Sequence, residues 1–351
     1  MRLNFLLTTT GVCIIVYLNY FPFKQQGSDV HKKTVHIDRL SGIGISLGLF
    51  ASDPLYDYHE MIDEIAQFKV QQLMVVVPLH QDLYTSDTMR SIVPDRTIRR
   101  TIQQARNHSL EVTVMPMIQL KQRSDTIWRG TLSPKNPSLW WSNYRSELRH
   151  LADIAEQNRV VRFAIGSELG SLESSIHEWN SLIMSIRRRF SGSLTYSANW
   201  DHYKDVPFWH LLDEISITAY FPIKRRELFE STWHTTLDEM IYFAQGHGDK
   251  GKPLFITEYG YPALASALHK PWDETTKAKF DPILQSELVS QSTAIILDHL
   301  SNNDDNTRLR GAMLWNWFGF GGQSDHGYTL RGRVGSATLK ELLNRRASTI
   351  K

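Results

Sequence analysis

From Gly42 onward the chain alternates short β-branched runs with stretches in which apolar residues recur at three- and four-residue spacing. The short runs predict strands over residues 43–49, 72–77, 111–115, 162–166, 194–198, 214–219, 254–257 and 311–315. Spacings such as Ile176, Trp179, Leu182, Ile183 and Ile186, or Leu288, Ala294, Ile295, Leu297 and Leu300, predict intervening helices with one apolar face. Strands alternating with helices imply a parallel sheet, and eight such units are the number that closes a (β/α)8 TIM barrel. An open doubly wound sheet would show the same alternation. Closure is favoured because polar and aromatic residues repeatedly follow the strands, as His80-Gln81-Asp82, Asn199-Trp200 and Tyr220 do, which suits a mouth built from all the βα loops. Gly42, Gly44 and Gly48 miss the dinucleotide-binding spacing by one residue and predict tight packing at the first strand instead. Two long connections, 119–136 and 259–285, leave strands on the expected active face, where long loops form cleft walls or lids.

Residues 5–23 form an apolar run of about bilayer-spanning length between Arg2 and Lys24, and no small-x-small cleavage site follows it. The expectation is a signal anchor over 1–23, a tether over 24–40 and a barrel domain over 41–351, so the membrane is an expected partner. Arg2 opposes Lys24, Lys32 and Lys33, which leaves orientation open. Cys13 is the only cysteine and lies in that run, so the barrel has no disulfide and no thiolate metal site to offer.

Composition narrows the function. With 39 Lys plus Arg against 37 Asp plus Glu the chain lacks the basic footprint of a nucleic-acid binder, and Arg187-Arg188-Arg189 falls where it would favour a helix C-terminus. No His-Glu-x-x-His stretch occurs among the histidines, and the Asn/Asp run at 302–306 lacks calcium-loop spacing. Ser167 directly follows Gly166, which is not a nucleophile elbow. No cofactor or metal is therefore expected, and the chain is expected to act as a monomer. Ten Trp and 13 Tyr supply flat faces on which sugar rings could stack.

Two carboxylates carry the candidate chemistry. Glu168 closes the fourth predicted strand in Phe163-Ala-Ile-Gly-Ser-Glu-Leu-Gly170, and Glu258 closes the seventh in Leu254-Phe-Ile-Thr-Glu-Tyr-Gly-Tyr-Pro262. In a barrel these strand ends face one another across the mouth. Retaining glycoside hydrolysis needs one carboxylic acid to protonate the leaving oxygen and one carboxylate to attack the anomeric carbon, about 5 to 5.5 Å apart. Each glutamate alone could equally cap a helix or pair with an arginine.

Four stretches, Ile165-Gly-Ser-Glu-Leu-Gly-Ser-Leu-Glu173, Leu194-Thr-Tyr-Ser-Ala-Asn-Trp-Asp201, Ile217-Thr-Ala-Tyr-Phe-Pro222 and Ile256-Thr-Glu-Tyr-Gly-Tyr-Pro262, resemble glycoside hydrolase family 113, over about 42–344. The resemblance implies a retaining barrel glycosidase acting on β-1,4-mannan, with Glu168 as acid/base and Glu258 as nucleophile. Where many members of the wider clan have Asn before the acid, Ser167 stands here. Glu168 must then be protonated near neutral pH and Glu258 charged. Tyr220 is placed to donate a hydrogen bond to Glu258, Asn199 to bind a sugar hydroxyl, Trp200 to wall a subsite and Trp315 to floor one; His80, Gln81, Asp82 and Trp128 are further rim candidates. A polysaccharide substrate implies an extracytoplasmic barrel, tethered, or secreted if the anchor is cleaved. A noncatalytic carbohydrate-binding or polysaccharide-assembly barrel, or a transglycosylase using the same pair, stays open.

Overall fold

A computed structural model describes residues 42–124, 126–301, 309–322 and 324–349. Among the described residues nine strands form: β1 (Gly42–Gly48), β2 (Gln72–Gln81), β3 (Arg90–Ser91), β4 (Glu111–Leu120), β5 (Arg162–Ser167), β6 (Ser193–Ala198), β7 (Ile215–Thr218), β8 (Leu254–Tyr259) and β9 (Leu309–Leu314). Eight of them pair in parallel in the ring β1-β2-β4-β5-β6-β7-β8-β9, and β9 pairs back onto β1, so the barrel closes. The two-residue β3 is an antiparallel addition to Leu79 and His80 of β2. Helices α1 (His59–Ala66), α2 (Asp95–Asn107), α3 (Pro137–Gln157), α4 (Ile176–Arg187), α5 (Phe229–Gln245), α6 (Pro282–Ser301) and α7 (Val334–Thr349) flank it.

Local chemistry accounts for these elements. In α3 the Asn136 side chain accepts from the Leu139 N–H at 3.1 Å and Pro137 opens the first turn, after which Trp140, Trp141, Tyr144, Leu148, Leu151 and Ala155 fall on one buried face. In α4 the expected stripe of Trp179, Leu182, Ile183 and Ile186 is buried, but Ile176, at its first turn, is exposed. The fold also departs from eight complete units. Between β6 and β7 the described chain forms two short 3-10 turns, Tyr203–Asp205 and Trp209–Leu211, in place of an α-helix. Buried Phe208 fills that part of the wall by stacking on Trp179 with centroids 4.6 Å apart.

Strands β2 and β4 run further than the sequence predicts. Pro78 and Pro116, which directly follow the predicted strands, occupy neighbouring rungs (Val77↔Pro116, Pro78↔Met117), and pairing runs on to Gln81↔Leu120. His80 and Gln81 thus belong to β2 itself rather than to a loop after it.

Inside the barrel the side chains form layers. At the N-terminal end Arg162, fully buried, meets Glu214, Gln72 and Thr113. Above it lies an apolar layer of Met74, Met115, Ala164, Phe255 and Met313. Gly44 is needed there, because a Cβ would stand 2.3 Å from the Met313 sulfur. The larger apolar core fills the shell between barrel and helices; truncating a buried aromatic such as Trp179 there would cost about 3–5 kcal/mol.

No helix among the described residues is long and apolar enough to cross a membrane. The expected anchor and tether, 1–23 and 24–40, lie outside those residues, as does the Asn/Asp run at 302–306.

Candidate active site

Glu168 follows the last residue of β5, and Glu258 is the fifth residue of β8. Both are buried, with relative exposures of 5% and 1%. The pairing of β5 with β6 shifts register between Ala164 and Ser167, and Glu168 then takes a φ of 53°, a left-handed backbone uncommon for a residue with a side chain. Two hydrogen bonds hold it there: the Glu168 N–H donates to the Ser197 carbonyl at 2.8 Å and the Leu169 N–H to the Tyr196 hydroxyl at 2.7 Å. The turn aims the carboxylate inward.

The two carboxylates have separate sets of donors. Thr218 Oγ1 donates to Glu168 Oε1 at 3.1 Å, and the Arg129 guanidinium donates to Glu168 Oε2 at 2.5 Å. Tyr220 OH donates to Glu258 Oε2 at 3.1 Å and Ser167 Oγ to Glu258 Oε1 at 3.3 Å. Thr218 is in register with Glu258 and Ser167 precedes Glu168, so each acid is held partly by a neighbour of the other. Asn199 joins the group, its Oδ1 3.5 Å from Thr218 Oγ1.

Electrostatics couple the pair. Burial first, and then the charge of Glu168, push Glu258 up to about 8, against the opposing effects of Arg129, Tyr220 and Ser167. The two acids therefore titrate as one coupled pair, in which burial and the neighbouring carboxylate oppose ionisation of Glu258. The donors expected to hold Glu258 charged are present in Tyr220 and Ser167, and burial and the like charge of Glu168 act against them. Burial and the adjacent Glu258 also push the Tyr220 phenol well above its ordinary range, so it remains a donor. Burial opposes the charge of Arg129, but Glu168 and Glu258 prevail and hold the guanidinium charged.

A further network supports the turn after Glu168. Tyr196 OH donates to Glu173 Oε1 at 2.6 Å, and His202 bridges Glu173, 3.2 Å away, and Asp201, 2.7 Å away. The hydrogen bond to Glu173 leads in raising His202 to about 9 despite burial, so the imidazolium persists at neutral pH.

The other sequence candidates separate. Trp200 stands on the rim, stacked on Trp272 with centroids 6.1 Å apart. Trp315 immediately follows β9, partly buried against the inner apolar layer, its ring 6.3 Å from that of Phe50; its peptide to Asn316 is cis. Trp128 lies beneath the Arg129 guanidinium at 5.9 Å. His80 is half-buried, which lowers its pKa, and makes no hydrogen bond to the carboxylates. Gln81 is buried and accepts from Trp140 Nε1 at 2.9 Å, a structural role, and Asp82 is exposed. Sequence reasoning missed Arg129, Thr218, Tyr196 and His202. For Thr218 a signal existed: Ser216 and Thr218 alternate with apolar residues and so share the inward face of β7. Among the described residues no cluster of His, Cys, Asp and Glu could hold a metal ion.

Residues 56–327 match the family model described as Glycoside Hydrolase Family 113. The chain belongs to glycoside hydrolase family 113. It is accordingly a glycoside hydrolase. Among solved structures it is similar in fold to the GH113 β-mannanase AaManA from Alicyclobacillus acidocaldarius in complex with ManMIm, at 20% identity and TM-score 0.72 over 86% of this chain and 96% of that one. A GH113 β-1,4-mannanase complex is similar at 19% identity and TM-score 0.73, over 86% and 98%. A GH5_18 protein from Bifidobacterium longum in complex with Manβ1-4GlcNAc is more distant, at 13% identity and TM-score 0.59, over 88% and 79%. Among curated proteins none matches. As a family 113 chain, it places Glu168 on the fourth barrel strand's end and Glu258 on the seventh.

Proposed function

We propose that this family 113 enzyme hydrolyses β-linked mannose oligomers or polymers with retention, using Glu168 as acid/base and Glu258 as nucleophile. The observation that carries the reading is the buried pair of carboxylates on the fourth and seventh barrel strands, each with its own donors. The mannan assignment is supported by the similar GH113 β-mannanases.

Burial and like charge favour one proton shared by the pair near neutral pH, and Arg129 donates to Glu168 Oε2. The reaction requires that proton on Glu168. Substrate entering between the acids takes the place of Arg129 at Oε2, and the proton passes to Glu168 as the guanidinium turns to stabilise the anionic Glu258. Glu258 then attacks the anomeric carbon while Glu168 gives its proton to the glycosidic oxygen, and the C–O bond breaks. With Glu258 now esterified and uncharged, Glu168 removes a proton from water, which attacks the same carbon and frees the sugar with its configuration kept.

Glu258→Ala and Glu168→Ala should each lower kcat on β-1,4-mannohexaose by about 10³-fold or more with folding intact, as charge at the transition state is lost. Azide should restore turnover in part to the Glu258 variant with inverted product. Full activity in either variant would sink the assignment.

Residues 1–23 are proposed to anchor the enzyme with its barrel outside the cytoplasm. Protease shielding of the barrel in intact cells would refute that orientation.

A further inference from the structure

The long connection after β8 touches the loops of four other strands. The Ile223 N–H, beyond β7, donates to the Leu268 carbonyl at 3.0 Å, and His269 bonds back to the Ile223 carbonyl at 2.9 Å. Tyr328, in the connection after β9, donates from its hydroxyl to the Pro271 carbonyl at 2.8 Å, and its ring lies 5.9 Å from that of Tyr220, the donor to Glu258. Trp272 stacks on Trp200, just beyond β6. Glu274 reaches Arg123, three residues beyond β4, at 3.2 Å, while its other oxygen lies beside Gly327.

The ring order makes these contacts informative. Counted either way round the barrel, β4 and β8 are four strands apart, so the loop that leaves β8 ends on the diametrically opposite strand. Four residues span at most about 13 Å. A stretch that short, held on the connection after β9 at both Pro271 and Glu274 and meeting Trp200 and Arg123 besides, joins loops from opposite sides of the barrel over its mouth.

We propose that residues 271–274 form a lid across the cleft, fastened by the Arg123–Glu274 ion pair, that makes the enzyme cut from chain ends rather than at internal bonds. The inference rests on the glycosidase reading above. An open groove lets a polymer lie through it, whereas a groove crossed by backbone admits a chain only by its end. The fastening is reversible by construction: Arg123 and Glu274 are 57% and 38% exposed, and such pairs are screened by salt. Trp272, 48% exposed, gives the lid an aromatic face at the entrance.

The test compares wild type with R123A and E274A, changes at exposed positions outside the carboxylate site. Wild type should release one short product from β-1,4-mannohexaose from the earliest time points, and should leave the viscosity of soluble galactomannan unchanged while reducing ends appear. Each variant should raise the ratio of galactomannan to hexaose activity several-fold and speed amide exchange across 271–276. A steep early fall in viscosity with wild type, or unchanged ratio and exchange in both variants, overturns the lid. If neither substrate is cleaved the glycosidase reading falls, and the exchange measurement alone decides the lid: unchanged protection in R123A overturns it, faster exchange upholds it.

Discussion

Arg162 and Glu214 lie at the N-terminal end of the barrel and Arg129 and Glu168 at its mouth, and both are arginine–carboxylate pairs largely withdrawn from water. In the lower pair every guanidinium nitrogen has a partner: Nε and Nη2 meet the two oxygens of Glu214, and Nη1 meets Gln72 and Thr113. The Phe255 ring covers the guanidinium face at 3.8 Å. In the upper pair one nitrogen of Arg129 meets Glu168, its Nε has no hydrogen-bond partner, and a second acid, Glu258, competes for the same cation. A saturated pair fixes geometry because any change leaves a buried charge alone. An unsaturated one, supplied by a loop and shared between two acids, is ready to exchange partners when a ligand arrives.

The largest expected effect breaks this comparison or confirms it. Arg162→Ala strands Glu214 in the barrel interior and should cost about 3–5 kcal/mol of stability. Arg129→Ala should cost under about 1.5 kcal/mol, since Glu168 keeps the Thr218 hydroxyl as a donor. Equal losses in denaturant midpoints would erase the distinction. A smaller effect sharpens it: Arg129 lowers Glu258, so its removal should move the alkaline limb of kcat/KM upward from about 8. A limb that stays in place would mean that Arg129 does not face the reacting pair.

The sequence exposes these two regions unequally. Glu168, Glu258 and Tyr220 were legible because strand periodicity marks where strands end, and a closed ring of eight turns strand ends into a geometry. Arg162 and Glu214 sit where strands begin, and nothing in a linear pattern says that residues 52 apart meet inside the barrel. Arg129 depends on how a loop folds back after β4, which has no periodicity to read. Prolines concealed the full length of β2 and β4, since a missing N–H usually ends a strand and here two fall on adjacent rungs. The coupled titration of the two acids follows from burial and proximity, properties of the assembled site.

The left-handed backbone at Glu168 has a consequence for how such an enzyme can change over time. Glycine adopts that conformation without strain, whereas any side chain there carries a penalty of about 1 kcal/mol. Drift toward greater stability would therefore tend to erase the acid, and only its use in turnover keeps it. Glu168→Gly should outlast Glu168→Ala under heat although both lack the carboxylate; the reverse order would mean that the turn is unstrained.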